Sequence, residues 1–111
     1  MRNYVIDALS PEDCGRVSTH LRELGMESSL EGLFWIPVPA SLLTSMQEEH
    51  LATCGPYAFG LSVENDSLSL ELLVRARGVV HCSCPAYADA ALRAHMMAWL
   101  DDLLLSLAVN G

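Results

Sequence analysis

The stretch YAFGLSVENDSLSLELLVRA, residues 57–76, decides the fold class, because it reads as a β-hairpin. Leu68, Leu70 and Leu72 alternate with Ser67, Ser69 and Glu71. A two-residue period buries one face of a strand and wets the other. Asn65-Asp66 supplies the link, since short polar side chains tolerate the positive φ of a tight turn. Strands are therefore expected over Tyr57–Glu64 and Ser67–Ala76, paired antiparallel.

Outward toward the C-terminus, Arg77-Gly78 turns the chain into a further short strand, Val79–Cys84, β-branched at its start. A long helix is expected from Ala86 to Leu107, with Pro85 just before it. Its apolar stripe is Ala88, Leu92, Met96, Trp99, Leu103 and Leu107, widened by Leu100 and Leu104. Asp89 and Arg93 sit at i,i+4 on the other side. This helix is expected to be the piece on which the other elements pack. Leu105 does not fit its pattern: it falls beside Asp101 and Asp102, opposite the stripe. Arg93, Asp101 and Asp102 also interrupt the run, so no apolar stretch of about 20 residues exists to cross a membrane.

Toward the N-terminus, Met26–Leu30 and Leu33–Val38 read as two strands joined at Glu31-Gly32. Leu33-Phe34-Trp35-Ile36 is apolar on both strand faces, while Pro37 and Pro39 put its end at a sheet edge or exit. Ser41–Thr53 reads as a helix whose regular part starts late, at a Ser45/Glu48 capping box, and Gly55-Pro56 ends it. Asn3–Ala8 reads as a short strand. Ser10 then caps a helix with Pro11 in its first turn and a stripe of Cys14, Val17, Leu21 and Leu24, stopped by Gly25. Runs of adjacent strands with tight turns imply an α+β fold. The expectation is a mostly antiparallel sheet of about five strands, with three helices packed chiefly on one face, in a single domain over residues 1–111.

Composition narrows the function. The chain is 51% hydrophobic and 18% charged, which suits a packed core. Its net charge is −8 and it has no lysine, so all 6 basic residues are arginines. That excludes Schiff-base and phosphate-loop lysines. It also argues against a nucleic-acid partner, because an acidic surface repels phosphates. Met1-Arg2-Asn3-Tyr4 begins no long apolar signal segment, so a cytoplasmic location with reduced thiols is expected.

Few residues carry chemistry. Cys82 and Cys84 lie two apart in the expected strand and point to the same side. His50 and Cys54 are four apart on the expected middle helix, and together with the cysteine pair they could in principle surround zinc. His81 faces away from Cys82. Glu12-Asp13, Glu48-Glu49 and Asp101-Asp102 are adjacent on helices, so they diverge by about 100° and read as solvated faces rather than acid–base pairs. Cys14 lies on an apolar stripe and reads as core. No nucleophile elbow, cysteine-protease surround or Gly-rich phosphate loop is present.

The run Cys82-Ser83-Cys84-Pro85-Ala86-Tyr87, followed by His95, resembles part of the SWIM-type zinc-binding module. By that resemblance Cys82 and Cys84 would be the first ligands and His95 the last. Arg93 stands where the module's third ligand, a cysteine, belongs. A cation there opposes a dication, so no cofactor is expected.

The reading that follows is a small acidic protein-binding or adaptor/chaperone-like module, not an enzyme. In size and charge it resembles bacterial secretion chaperones, although those place three strands before the middle helix and two after it. The alternative is a metal or thiol redox module using Cys82 and Cys84. A homodimer is expected, with Trp35, Phe34 and Leu105 in its interface, because one chain has few elements to cover both patches. A further protein partner is possible on this reading; a membrane is not.

Overall fold

The computed structural model describes residues 3–49, 56–76 and 86–109. Its elements are β1 (Asn3–Ile6), α1 (Pro11–Glu23), β2 (Leu33–Pro37), a 3₁₀ turn (Ala40–Leu42), α2 (Ser45–Glu49), β3 (Tyr57–Val63), β4 (Leu68–Glu71), β5 (Leu73–Ala76), β6 (Ala86–Tyr87) and α3 (Ala90–Ser106). The fold is α+β with an antiparallel sheet and a long C-terminal helix, as the sequence implies.

The hairpin forms where the alternation places it. Val63 pairs with Leu68, and the Glu64 N–H donates to the Ser67 carbonyl at 2.9 Å, leaving Asn65-Asp66 at the tip. β4 and β5 are one strand bent at Leu72. Between Leu61↔Leu70 and Ala58↔Arg75, β3 advances three residues while its partner advances five. Such a bulge bends the strand locally. The Leu72 carbonyl accepts from the Ala88 N–H at 2.8 Å at this bend. Counted this way the described residues form five strands, in line with the expected sheet of about five: β2 flanks β3 on one side, β4–β5 on the other, and β1 and β6 lie beyond β4 and β5. The expected strand Val79–Cys84 lies outside the described residues.

The expected strand Met26–Leu30 shrinks to a single bridge, Glu27↔Phe34. The Trp35 N–H donates to the Met26 carbonyl at 2.8 Å, and the Ser28 N–H donates to the Leu33 carbonyl at 3.0 Å. Beyond that the Ser28 hydroxyl takes over, accepting from the Leu30 N–H at 3.0 Å. A serine that bonds its local backbone competes with a ladder and turns the chain.

α1 starts and stops on its sequence signals. Ser10 Oγ accepts from the Asp13 N–H at 3.1 Å, and Pro11 opens the first turn. At the other end Gly25 has φ 74°, the Met26 N–H reaches the Leu21 carbonyl, and the Gly25 N–H reaches the Arg22 carbonyl. This is the Schellman closure, which needs a left-handed residue at that position. Cys14, Val17 and Leu21 are buried; Leu24, at the cap, is exposed.

α2 begins one residue earlier in its capping logic than Ser45/Glu48. Thr44 and Gln47 cap each other: the Gln47 N–H donates to Thr44 Oγ1 at 3.1 Å, and the Thr44 N–H donates to Gln47 Oε1 at 2.9 Å. The spacing of a capping box is the same; burial of Gln47 selects this register. The rest of the expected Ser41–Thr53 helix, beyond Glu49, lies outside the described residues.

α3 starts at Ala90, later than expected, because Ala86–Tyr87 pairs with Val74 and Leu73 as β6. Asp89 is its N-cap, accepting from the Leu92 N–H at 2.8 Å. Its carboxylate therefore serves the cap, not an i,i+4 pair with Arg93. The buried residues are Leu92, Met96, Leu100, Leu103 and Leu104, with Trp99 and Leu107 at the margin. Val17 and Leu21 of α1, Phe34 of β2, Phe59 and Leu61 of β3, Leu68 and Leu70 of β4, and Met96 and Leu100 of α3 share one core. No described helix is long and apolar enough to cross a membrane.

Candidate binding surface

Alternation along the strands sorts the sheet into two faces. Phe34, Ile36, Phe59, Leu61, Leu68 and Leu70 share the face that packs against α1 and α3. The other face carries Leu33 and Trp35 on β2, Gly60 and Ser62 on β3, Glu71 on β4, Arg75 on β5, and Asn3 and Val5 on β1. No described helix lies over it.

Two cross-strand rows define its shape. One runs Val5, Ser69, Ser62, Leu33; the other is made of the pairs Asn3↔Glu71 and Gly60↔Trp35. Ser69, Ser62 and Gly60 are small, so the face is a trough between β1 and β2. A Cβ on Gly60 would lie 3.6 Å from Leu33 Cδ1 and 3.8 Å from Trp35 Cζ3, so both side chains lean over the glycine. Around Trp35 the trough deepens to a concavity of about 340 Å³, reaching Leu30 on one side and the Glu71–Arg75 pair on the other.

That ion pair is the charged feature of the face. Arg75 Nε lies 2.5 Å from Glu71 Oε1, and its Nη2 lies 3.1 Å from Oε2, a two-point contact. The fork geometry fixes both side chains. The bend at Leu72 keeps residues 71 and 75 on one side of the sheet. The concavity is thus apolar at its base, small in its centre and charge-balanced at its rim. Among the described residues its only lining hydroxyl is Ser62, and no histidine or cysteine lines it. Such a site offers shape and apolar contact rather than acid–base chemistry.

The residues singled out from sequence fall in different places. Trp35 is half-buried on the open face, whereas Phe34, one residue earlier, is fully buried in the chain's own core. Leu105 is 77% exposed on the outer side of α3, away from the trough. His95 is exposed on α3. Cys82 and Cys84, with His50, Cys54 and His81, lie outside the described residues. Among the described residues no group of three or more histidine, cysteine or acidic side chains is placed to hold a metal ion. Cys14 is buried, and burial first, then the charges of Asp66 and Asp13, pushes its thiol pKa upward, away from the reactive thiolate. The Glu71–Arg75 pair is the part of the site that sequence reasoning missed. An i,i+4 spacing with opposite charges in a strand was its only signal.

Comparison of the chain with protein-family models, with curated proteins and with solved structures yields no match.

Proposed function

We propose that this protein is a small, non-catalytic protein-binding module that self-associates as a homodimer and receives a partner polypeptide on the open face of its sheet. The observation that carries the reading is the trough centred on Trp35. A rigid antiparallel sheet holds an indole, Leu33 and an exposed Leu30 beside a fixed ion pair, with small residues between. Tryptophan and arginine are enriched among the side chains that anchor protein interfaces. The indole has only two side-chain torsions to freeze, and the arginine is already held by Glu71. The face is charge-balanced, so the net charge of −8 does not repel a partner at this spot. The cytoplasm remains the compartment the composition favours.

Selection of binding peptides from a random display library tests the face. Peptides that bind the wild type should carry apolar residues and lose at least tenfold in affinity for Trp35→Ala. Peptides that bind both proteins equally would remove the trough from the reading. Sedimentation equilibrium tests self-association separately: a mass fixed at 12.1 kDa at all micromolar concentrations would sink the homodimer.

A further inference from the structure

The two edges of the sheet are treated differently. β2 is closed along its outer side by Met26–Ser28, and it ends at Pro37, which has no N–H to leave unpaired. β1 has neither device among the described residues, and no charged residue lies within Asn3–Ile6. Natural sheets usually blunt an exposed edge with charge, proline or a bulge.

Ladder alternation shows which groups β1 leaves open. Glu64 and Ser67 form a hydrogen-bonded pair, so the bonds between β3 and β4 recur at Ser62↔Ser69. Leu68 and Leu70 therefore turn their backbone groups the other way, toward Ile6 and Tyr4 of β1. The same rule accounts for β2, where Gly32 and Val38 bond β3 while Leu33 and Trp35 bond Met26–Ser28. On β1 the alternate residues are Asn3 and Val5. Their N–H and C=O groups point out of the sheet, and the Val5 side chain is 54% exposed.

We propose that β1 pairs with β1 of a second copy, antiparallel about a two-fold axis through Val5, so that one sheet runs across the dimer. This rests on the reading that the chain self-associates and says where the copies join. A two-fold axis normal to the sheet opposes only residues of the same parity. Centred on Val5, it sets Val5 against Val5, Tyr4 against Ile6 and Asn3 against Asp7. The two Val5 residues exchange backbone hydrogen bonds and cover each other's exposed side chains. The carboxamide of Asn3 meets a carboxylate at each end, and no like charges face one another. Ala8, with φ 57°, turns the chain away and ends the ladder at Asp7. The segment is complementary to itself, which selects a second copy over an arbitrary peptide. Joined this way, the two troughs become one surface with a Trp35 on each flank.

Sedimentation equilibrium of wild type and Val5→Pro is the test. Proline at 5 removes an N–H that the chain's own ladder does not use, so the β1–β4 bonds stay intact. Wild type is expected at twice 12.1 kDa, and Val5→Pro at 12.1 kDa with an unchanged circular dichroism spectrum. A monomeric wild type overturns self-association altogether; a dimeric Val5→Pro overturns this seam and leaves self-association standing. Should the variant unfold, amide hydrogen exchange on the wild type decides. The Val5 amide is expected to exchange slowly where the mass is dimeric and faster on dilution. Rapid Val5 exchange in the dimer overturns the seam without any mutant.

Discussion

At the scale of single residues, two positions carry strain or charge that can be measured. Ala108 closes α3 at φ 56°, with its N–H donating to the Leu105 carbonyl at 3.1 Å and the Val109 N–H to the Leu104 carbonyl at 2.9 Å. α1 ends the same way on Gly25, where a left-handed conformation costs nothing sterically. Ala108→Gly should therefore stabilise the fold by about 1 kcal/mol in urea denaturation, the order of the alanine penalty in that region. Tyr4 is the second position. Its hydroxyl donates to Asp101 Oδ1 at 2.7 Å, tying β1 to α3. That hydrogen bond first, then burial and the Asp101 charge, raises its pKa above the ordinary 10.0. A raised pKa in the folded state means that its contribution to stability is whole below about pH 10 and is lost as pH climbs through the folded value. Tyrosinate absorbance of the native protein should show Tyr4 titrating late. Tyr4→Phe should remove that group and flatten the alkaline loss of stability.

At the scale of elements, α3 is the helix to probe. Leu100 and Met96 are at its buried centre, with Leu103 beside them and Trp99 at the margin. Leu100→Ala, Leu103→Ala and Trp99→Ala should each cost about 2–5 kcal/mol, since truncation leaves a cavity as well as losing apolar contact. Leu105→Ala should move stability by no more than about 0.5 kcal/mol, as exposed substitutions do. Chemical denaturation of the four variants checks the orientation of the helix; an equal loss at position 105 would mean that its outer side is also packed. The stripe of this helix was legible in the sequence because leucines at three- and four-residue spacing can share only one face. Its start was not. Pro85 is a plausible first-turn residue, but Ala86–Tyr87 gains more by pairing with β5, and Asp89 then becomes the cap. Local signals compete, and the neighbouring strand decides between them.

At the scale of the whole molecule, the proposed self-association would couple stability to concentration. A dimer that forms only from folded chains is stabilised by mass action. The urea midpoint of the wild type should rise with protein concentration, whereas that of Val5→Pro should not; a midpoint independent of concentration for both would contradict a dimer. The Trp35 trough and the β1 edge belong to the same sheet, and in the proposed dimer they would serve different contacts. Substitution at Trp35 should therefore weaken partner binding without changing the sedimenting mass.

The hairpin, the caps of α1, the stripe of α3 and the α+β class were fixed by the order of residues alone. Each depends on neighbours within a few positions, where backbone geometry and the period of burial leave little choice. The two-faced character of Leu33–Ile36 was also written in the sequence, but its meaning was not. Register against β3 sends Phe34 and Ile36 into the core and leaves Leu33 and Trp35 on the open side. The bulge at Leu72 sets Arg75 beside Glu71, and the ladder parity from β3 to β1 turns the Val5 amide outward. These follow from pairings between residues far apart in the chain, and only the assembled sheet fixes which partner stands opposite which.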